Sequence, residues 1–229
     1  KLFETSQVNL FGGARITTQA IQALCRRGGP VDYYSTGGWF YGITQGGMHK
    51  NVELRLHQYR TAGDPEASLA LARRFVAVKI ANCRTLLRRN AENLDPGVLE
   101  RLAESARSAE KAESAEALLG VEGAAARTYF NALPLMLKTA GVGDDFTFKG
   151  RNRRPPKDPV NAMLSLAYAL LTKDMTVTLL AAGLDPYLGF YHRPRYGRPS
   201  LALDLIEEFR PLVADSTVIG AINNRVVRE

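Results

Sequence analysis

The pairs Asp64-Pro65, Asp95-Pro96 and Asp158-Pro159 constrain this chain more than any other feature, because each stands directly before a run of helical apolar periodicity. An aspartate just ahead of a helix accepts its orphan N–H groups, and proline at the first helical position has φ already set and no N–H to strand. The runs that follow predict helices over 65–90, 96–113 and 159–182. The same period predicts helices over 51–61, 115–138, 200–209 and 216–224, with Pro134 placed to kink or break the one over 115–138. From residue 51 the composition shifts towards Ala, Leu, Glu and Arg, so the expected fold class is mostly α.

Residues 1–45 read differently. They are rich in Gly, aromatic and β-branched residues, with apolar segments at 8–11, 31–34 and 39–43. Between the first two, Ile16, Ala20, Ile21 and Leu24 are spaced as on a helix that Gly28-Gly29-Pro30 stops. A strand, a short helix and a hairpin turning at Ser35-Thr36-Gly37-Gly38 are expected. The organisation is then a small β-rich lobe, or the remnant of one, over 1–45 ahead of an α-helical domain over 46–229. The chain opens on Lys1 rather than Met, which suggests that it begins partway through a longer protein.

With 229 residues, 45% hydrophobic and 23% charged, the chain can bury a substantial core. A formal net charge of +7 favours an anionic partner, nucleic acid or an acidic surface. Cys25 and Cys83 stand far apart with no CxxC pair, which argues against a disulfide framework or a cysteine metal site and for a cytoplasmic setting. No apolar run approaches the ~18 residues needed to cross a bilayer, so no membrane partner is expected.

Three groups stand out for chemistry. Glu122 interrupts the stripe Leu118, Ala125, Tyr129, Leu133, and a carboxylate on a core-facing stripe is costly unless a cation or donor meets it. The plain alternative is a partly exposed Glu at the margin of an amphipathic helix. Gly120 and Gly123 flank it, and each weakens a helix unless close approach of a backbone or ligand compensates. Asp204 and Glu207, at i and i+3, project from one face of a helix for which Ser200 is a natural N-cap, and a divalent cation would relieve their repulsion. A solvated acidic face is the alternative there. His192 follows the aromatic stretch Tyr187-Leu188-Gly189-Phe190-Tyr191 and could coordinate a metal or serve only structure. A competing set, His49, Glu53 and His57, has ligand-like spacing but matches no zinc signature. Basic residues cluster at Arg73-Arg74, at Arg88-Arg89, from Lys149 to Lys157 with Arg151, Arg153 and Arg154, and at Arg193, Arg195 and Arg198. The last two clusters, on loops, are the candidates for phosphate contact.

The stretch Leu118-Leu119-Gly120-Val121-Glu122-Gly123-Ala124-Ala125-Ala126-Arg127-Thr128-Tyr129-Phe130 resembles the helix that carries the first metal-binding glutamate of the CRISPR-associated Cas-one integrases. Arg154-Pro155-Pro156-Lys157-Asp158-Pro159 is similar to the entry into that family's central helix. Gly189-Phe190-Tyr191-His192, Gly197-Arg198-Pro199-Ser200 and Glu207-Glu208-Phe209-Arg210-Pro211 are similar to its histidine and acidic motifs. The resemblance runs in order through most of the chain, including Gly37-Gly38-Trp39-Phe40-Tyr41-Gly42. It implies that Glu122, His192 and Glu207 bind Mn²⁺ or Mg²⁺, with Asp204 as a further acidic member of the catalytic set. The third ligand in this family is often Asp, so Glu207 is a departure. Arg127, Arg153, Arg154, Lys157, Arg193, Arg195 and Arg198 are the implied DNA contacts.

The function implied is insertion of new spacers into CRISPR arrays by attack of a 3′ hydroxyl on a phosphodiester. The implied partners are double-stranded DNA with 3′ overhangs, CRISPR repeat DNA, a second copy of the chain and a bridging Cas-two protein. Some relatives are fused to an iron-sulfur nuclease, whose cluster two cysteines cannot supply here. A noncatalytic helical nucleic-acid-binding protein and a hydrolytic metal-dependent DNase are the alternatives.

Overall fold

Val8–Phe11 (β1), Thr18–Arg26 (α1), Val31–Tyr34 (β2) and Phe40–Thr44 (β3) follow the expected order of strand, helix and hairpin. The structure, a computed structural model, describes residues 5–47, 49–138, 146–152 and 155–227. The chain forms two units, Lys1–Arg60 with Thr176–Pro186, and Thr61–Met175 with Tyr187–Glu229.

In the smaller unit the sheet order is β1-β2-β3, with β1 parallel to β2 and β2 antiparallel to β3. Parallel neighbours need a crossover, which α1 supplies, with Leu24 buried and Thr17 accepting the Ala20 N–H. The hairpin closes where the Ser35 N–H donates to Trp39 O at 2.7 Å, and Gly38 at φ +84° makes the turn that an L side chain would strain. Val52–Gly63 (α2) brings Gln58 into this unit. Its buried amide donates to Asp185 O at 2.8 Å and accepts from Asp185 N at 2.9 Å, fastening residues 176–186 to it.

The larger unit holds Pro65–Asn90 (α3), Pro96–Glu110 (α4), Ala115–Ala132 (α5), most of Pro159–Ala182 (α6), Ser200–Phe209 (α7) and Ser216–Asn223 (α8). The three aspartates cap as expected: Asp64 accepts from Glu66 and Ala67, Asp95 from Gly97 and Asp158 from Asn161. Pro134 ends α5 early, and Leu133–Met136 tightens into a 3₁₀ turn. Between α7 and α8 the chain widens into a π turn, Arg210–Asp215. Pro211 has no N–H for the bond to residue 207, and its ring would clash with that carbonyl in a regular helix. Ser200 does not cap α7 as expected: it is the first helical residue, and its hydroxyl donates to Arg193 O.

Helix α3 packs against α4, α5 and α7. Val76, Ile80, Leu87, Leu102, Leu118, Leu133, Leu164 and Ile222 are buried in one cluster, each contributing roughly 1.5–3 kcal/mol of transfer free energy. The expectation that no segment could span a bilayer needs correction, since α6 is long and apolar enough by length and composition, with a mean hydropathy of 1.3. Lys173 and Asp174 fall within it, and a hydrocarbon interior penalises both.

Candidate active site

Three helices of the larger unit each send one charged side chain to the same place: Lys79 from α3, Glu122 from α5 and Glu207 from α7. Lys79 Nζ lies 2.5 Å from Glu122 Oε1 and 2.5 Å from Glu207 Oε2. The first contact is a hydrogen bond; the second is a close charge contact outside hydrogen-bond alignment. Glu207 is almost wholly buried, its side chain 1% exposed, against 14% for Lys79 and 15% for Glu122. Burial alone would lower the Lys79 pKa, but Glu207 and then Glu122 outweigh it, and the amine is held charged above its ordinary value. Burial would likewise raise Glu122, yet Lys79 and the Tyr191 hydroxyl hold its carboxyl below the usual range.

Glu207 has a second cation, with Arg210 Nη1 2.7 Å from its Oε1. Arg210 lies over the Tyr168 ring, 5.0 Å from its centroid, at the start of the π turn. Glu122 Oε2 accepts from Tyr191 Oη at 2.5 Å. Its place in the buried stripe is as expected, since Leu118, Ala125, Tyr129 and Leu133 are all buried. A Cβ added at Gly120 or Gly123 would meet nothing within 4 Å, so no close packing in this chain explains those glycines.

Asp204, fully buried, does different work. Its Oδ2 accepts from the Phe190 and Tyr191 N–H groups, and its Oδ1 from the His192 N–H at 2.8 Å. The same Oδ1 lies 2.7 Å from His192 Nδ1. A proton on Nδ1 shared with Asp204 leaves the Nε2 lone pair for another partner, the usual way a carboxylate orients a ligating histidine. Gly189 makes this possible, because a Cβ there would stand 2.6 Å from Asp204 Oδ2 and 2.8 Å from the Ser200 carbonyl carbon.

Glu122, His192, Glu207 and Lys79 line one cavity of about 1150 Å³, with Arg193, Arg195 and Arg198 at the same wall. Among the described residues, no three His, Cys, Asp or Glu side chains are arranged to hold a metal ion, neither the expected set Glu122, His192 and Glu207 nor the set His49, Glu53 and His57. His49 precedes α2 and accepts the Asn51 N–H, so the three do not share a helix face. Arg193 also reaches Glu116 at 3.2 Å, both well exposed, a contact worth ~0–1 kcal/mol. Arg127 and Lys157 are exposed and do not line the cavity, and Arg153 and Arg154 lie outside the described residues. Arg151 is structural: it donates to Asn161 Oδ1 at 2.8 Å and to Ser165, holding residues 150–152 on the start of α6.

A family model described as CRISPR associated protein Cas1 matches residues 1–229. The chain belongs to the Cas1 family. A CRISPR-associated exonuclease Cas4/endonuclease Cas1 fusion from Geobacter sulfurreducens is 56% identical over 235 residues, covering 100% of this chain and 42% of that protein. This chain therefore spans less than half the length of that relative, which is a fused protein of the kind the resemblance brought in. The structure of a Cas1 protein from Thermotoga maritima superposes with a TM-score of 0.78 at 25% identity, covering 99% of this chain and 70% of the other. A chain from a partial Cas6-RT-Cas1–Cas2 complex gives a TM-score of 0.76 at 29% identity, covering 97% and 67%. The mostly α class with a small N-terminal sheet agrees with these Cas1 folds.

Lys79, Tyr191, Arg210 and Asp215 were not among the residues that the sequence singled out. Lys79 had a readable signal: it sits three residues after Val76 and four before Cys83, both buried, so a cation was being placed on a core stripe.

Proposed function

We propose that this Cas1 chain is the catalytic part of a metal-dependent DNA integrase that adds spacers to CRISPR arrays. The observation that carries the reading is the convergence of two carboxylates from different helices, Glu122 and Glu207, on a single cation at the wall of a basic cavity. A pair that already accommodates an ammonium, in a donor set of carboxylate oxygens and one imidazole, suits Mn²⁺ or Mg²⁺. Glu122, Glu207 and His192 would hold the ion, which when bound supplies charge stabilisation at a phosphate under attack.

In the transfer a 3′ oxygen loses its proton and bonds to phosphorus, while the bond from phosphorus to the departing 3′ oxygen breaks and that oxygen is protonated. One phosphodiester replaces another, with no water or oxidant consumed. Asp204 fixes the imidazole of His192 for its part. Arg193, Arg195 and Arg198 neutralise DNA phosphates entering the cavity, and exposed Arg127 and Lys157 extend the basic surface. DNA with 3′ overhangs, a repeat duplex, a second copy of the chain and a bridging Cas2 complete the proposal, in the cytoplasm; the solved complex containing Cas1 and Cas2 supports the last partner.

The test is strand transfer by the full-length protein in Mn²⁺, with Glu122→Ala and His192→Ala proteins shown to be folded. Both should lose joining of the 3′ end. Full activity in either would sink the site. Cleavage that persists when the 3′ hydroxyl is blocked would point instead to a hydrolytic DNase.

A further inference from the structure

We infer that Lys79 is an internal cation that a divalent metal must expel, so that metal loading exchanges the lysine ammonium out from between Glu122 and Glu207. The inference rests on the proposed metal-dependent reading and adds a residue and an exchange step to it.

The argument is one of occupancy. Each of the four carboxylate oxygens of the pair already has a partner: Glu122 Oε1 and Glu207 Oε2 meet Lys79, Glu122 Oε2 meets the Tyr191 hydroxyl, and Glu207 Oε1 meets Arg210. A metal bound by both carboxylates must therefore displace something. Tyr191 carries its hydroxyl on a rigid ring, and its backbone N–H is held by Asp204 at 3.0 Å. Arg210 is tethered by stacking over Tyr168 within the π turn. Lys79 is the partner that touches both acids, and it does so at the end of a flexible four-carbon stem.

Space points the same way. An ammonium 2.5 Å from an oxygen of each carboxylate fills the gap between the two acids, which an ion held by both would need. The contact to Glu207 lacks hydrogen-bond alignment, so the lysine holds that acid by charge alone, which a doubly charged ion supplies more strongly. Once displaced, the ammonium remains at the cavity wall, where an entering phosphate offers it a new counter-charge.

The experiment is a calorimetric Mn²⁺ titration of the metal-free, full-length protein against Lys79→Met and Lys79→Gln, with folding confirmed by circular dichroism. Removing the competitor should tighten Mn²⁺ binding by about tenfold or more, the scale on which groups around a metal ligand act. In parallel, wild-type protein is acylated with acetic anhydride and Lys79 modification followed by mass spectrometry, a readout that needs no substitution. Mn²⁺ should speed labelling of Lys79 several-fold while leaving exposed Lys111 unchanged. Equal or weaker Mn²⁺ binding in the substituted proteins, or labelling of Lys79 that Mn²⁺ does not accelerate, overturns the inference. If wild type binds Mn²⁺ and Glu122→Ala does not, that failure belongs to Lys79 alone. If wild type does not bind Mn²⁺, the metal reading falls with it.

Discussion

Asp204 and Glu207 leave α7 one turn apart, and both are buried, yet they belong to different kinds of structure. Asp204 accepts three backbone N–H groups and faces one imidazole, all from residues 190–192, so its charge folds a loop. Glu207 faces two side-chain cations, Lys79 and Arg210, which come from outside its own helix. Backbone donors cannot leave without unfolding the loop. A side-chain cation on a flexible stem, as Lys79 is, can move away with the fold intact. The same amphipathic turn thus provides one carboxylate committed to position and one held by side chains, and the proposed chemistry falls to the second.

The sharpest way to break this contrast is to neutralise the two acids separately. Glu207→Gln should depress strand transfer on the order of 10³-fold, the scale of losing the transition-state charge stabilisation that the ion it would hold supplies, and excess Mn²⁺ should not restore it. Asp204→Asn should weaken Mn²⁺ binding by ~10–100-fold through a misoriented His192, with activity largely recovered at high Mn²⁺. Gel assays over a Mn²⁺ series distinguish the two. If both variants respond alike to added metal, the division between positioning and exchangeable acid is wrong.

A third acid extends the comparison. Asp215, at the end of the π turn, accepts from Tyr129 Oη at 2.7 Å and from Tyr168 Oη at 2.6 Å. Burial still outweighs these donors and leaves its carboxyl above the ordinary value, so this acid costs stability. Tyr129→Phe removes one donor from a buried carboxylate and should cost ~1–3 kcal/mol in chemical denaturation, with Mn²⁺ affinity unchanged. A change in affinity instead would tie the Asp215 cluster to the metal centre.

The helices were legible because their signals are local. Asp64-Pro65 and Asp158-Pro159 marked helix starts to the residue, and Pro134 marked where α5 tightens. The π turn was not read, although Pro211, two residues past the end of α7, forbids an ordinary continuation. Glu122 was legible as a carboxylate on a buried stripe. Its partner was not, because Lys79 lies on another helix and only packing brings the two within 2.5 Å. The coupling of His192 to Asp204 was hidden for the same reason, as a loop contact made possible by the missing Cβ of Gly189. Sequence period tells which face a residue occupies, whereas the identity of the group opposite depends on tertiary packing.

The smallest expected effect concerns pH and separates Glu122 from its neutral analogue. Its folded pKa is depressed below the ordinary 4.5, so its contribution to stability is full above that value and is lost as pH falls through the lower folded value. Lys79 has the opposite sign: its folded pKa is raised above 10.5, so its contribution is full below that value and fades as pH rises through the higher one. The stability advantage of wild type over Glu122→Gln should therefore hold through neutral pH and shrink on acidification below about 4.5, as followed by thermal melts without metal. A gap that stays constant into acid would mean that Glu122 gains nothing from its charge, and that Lys79 is not what holds it.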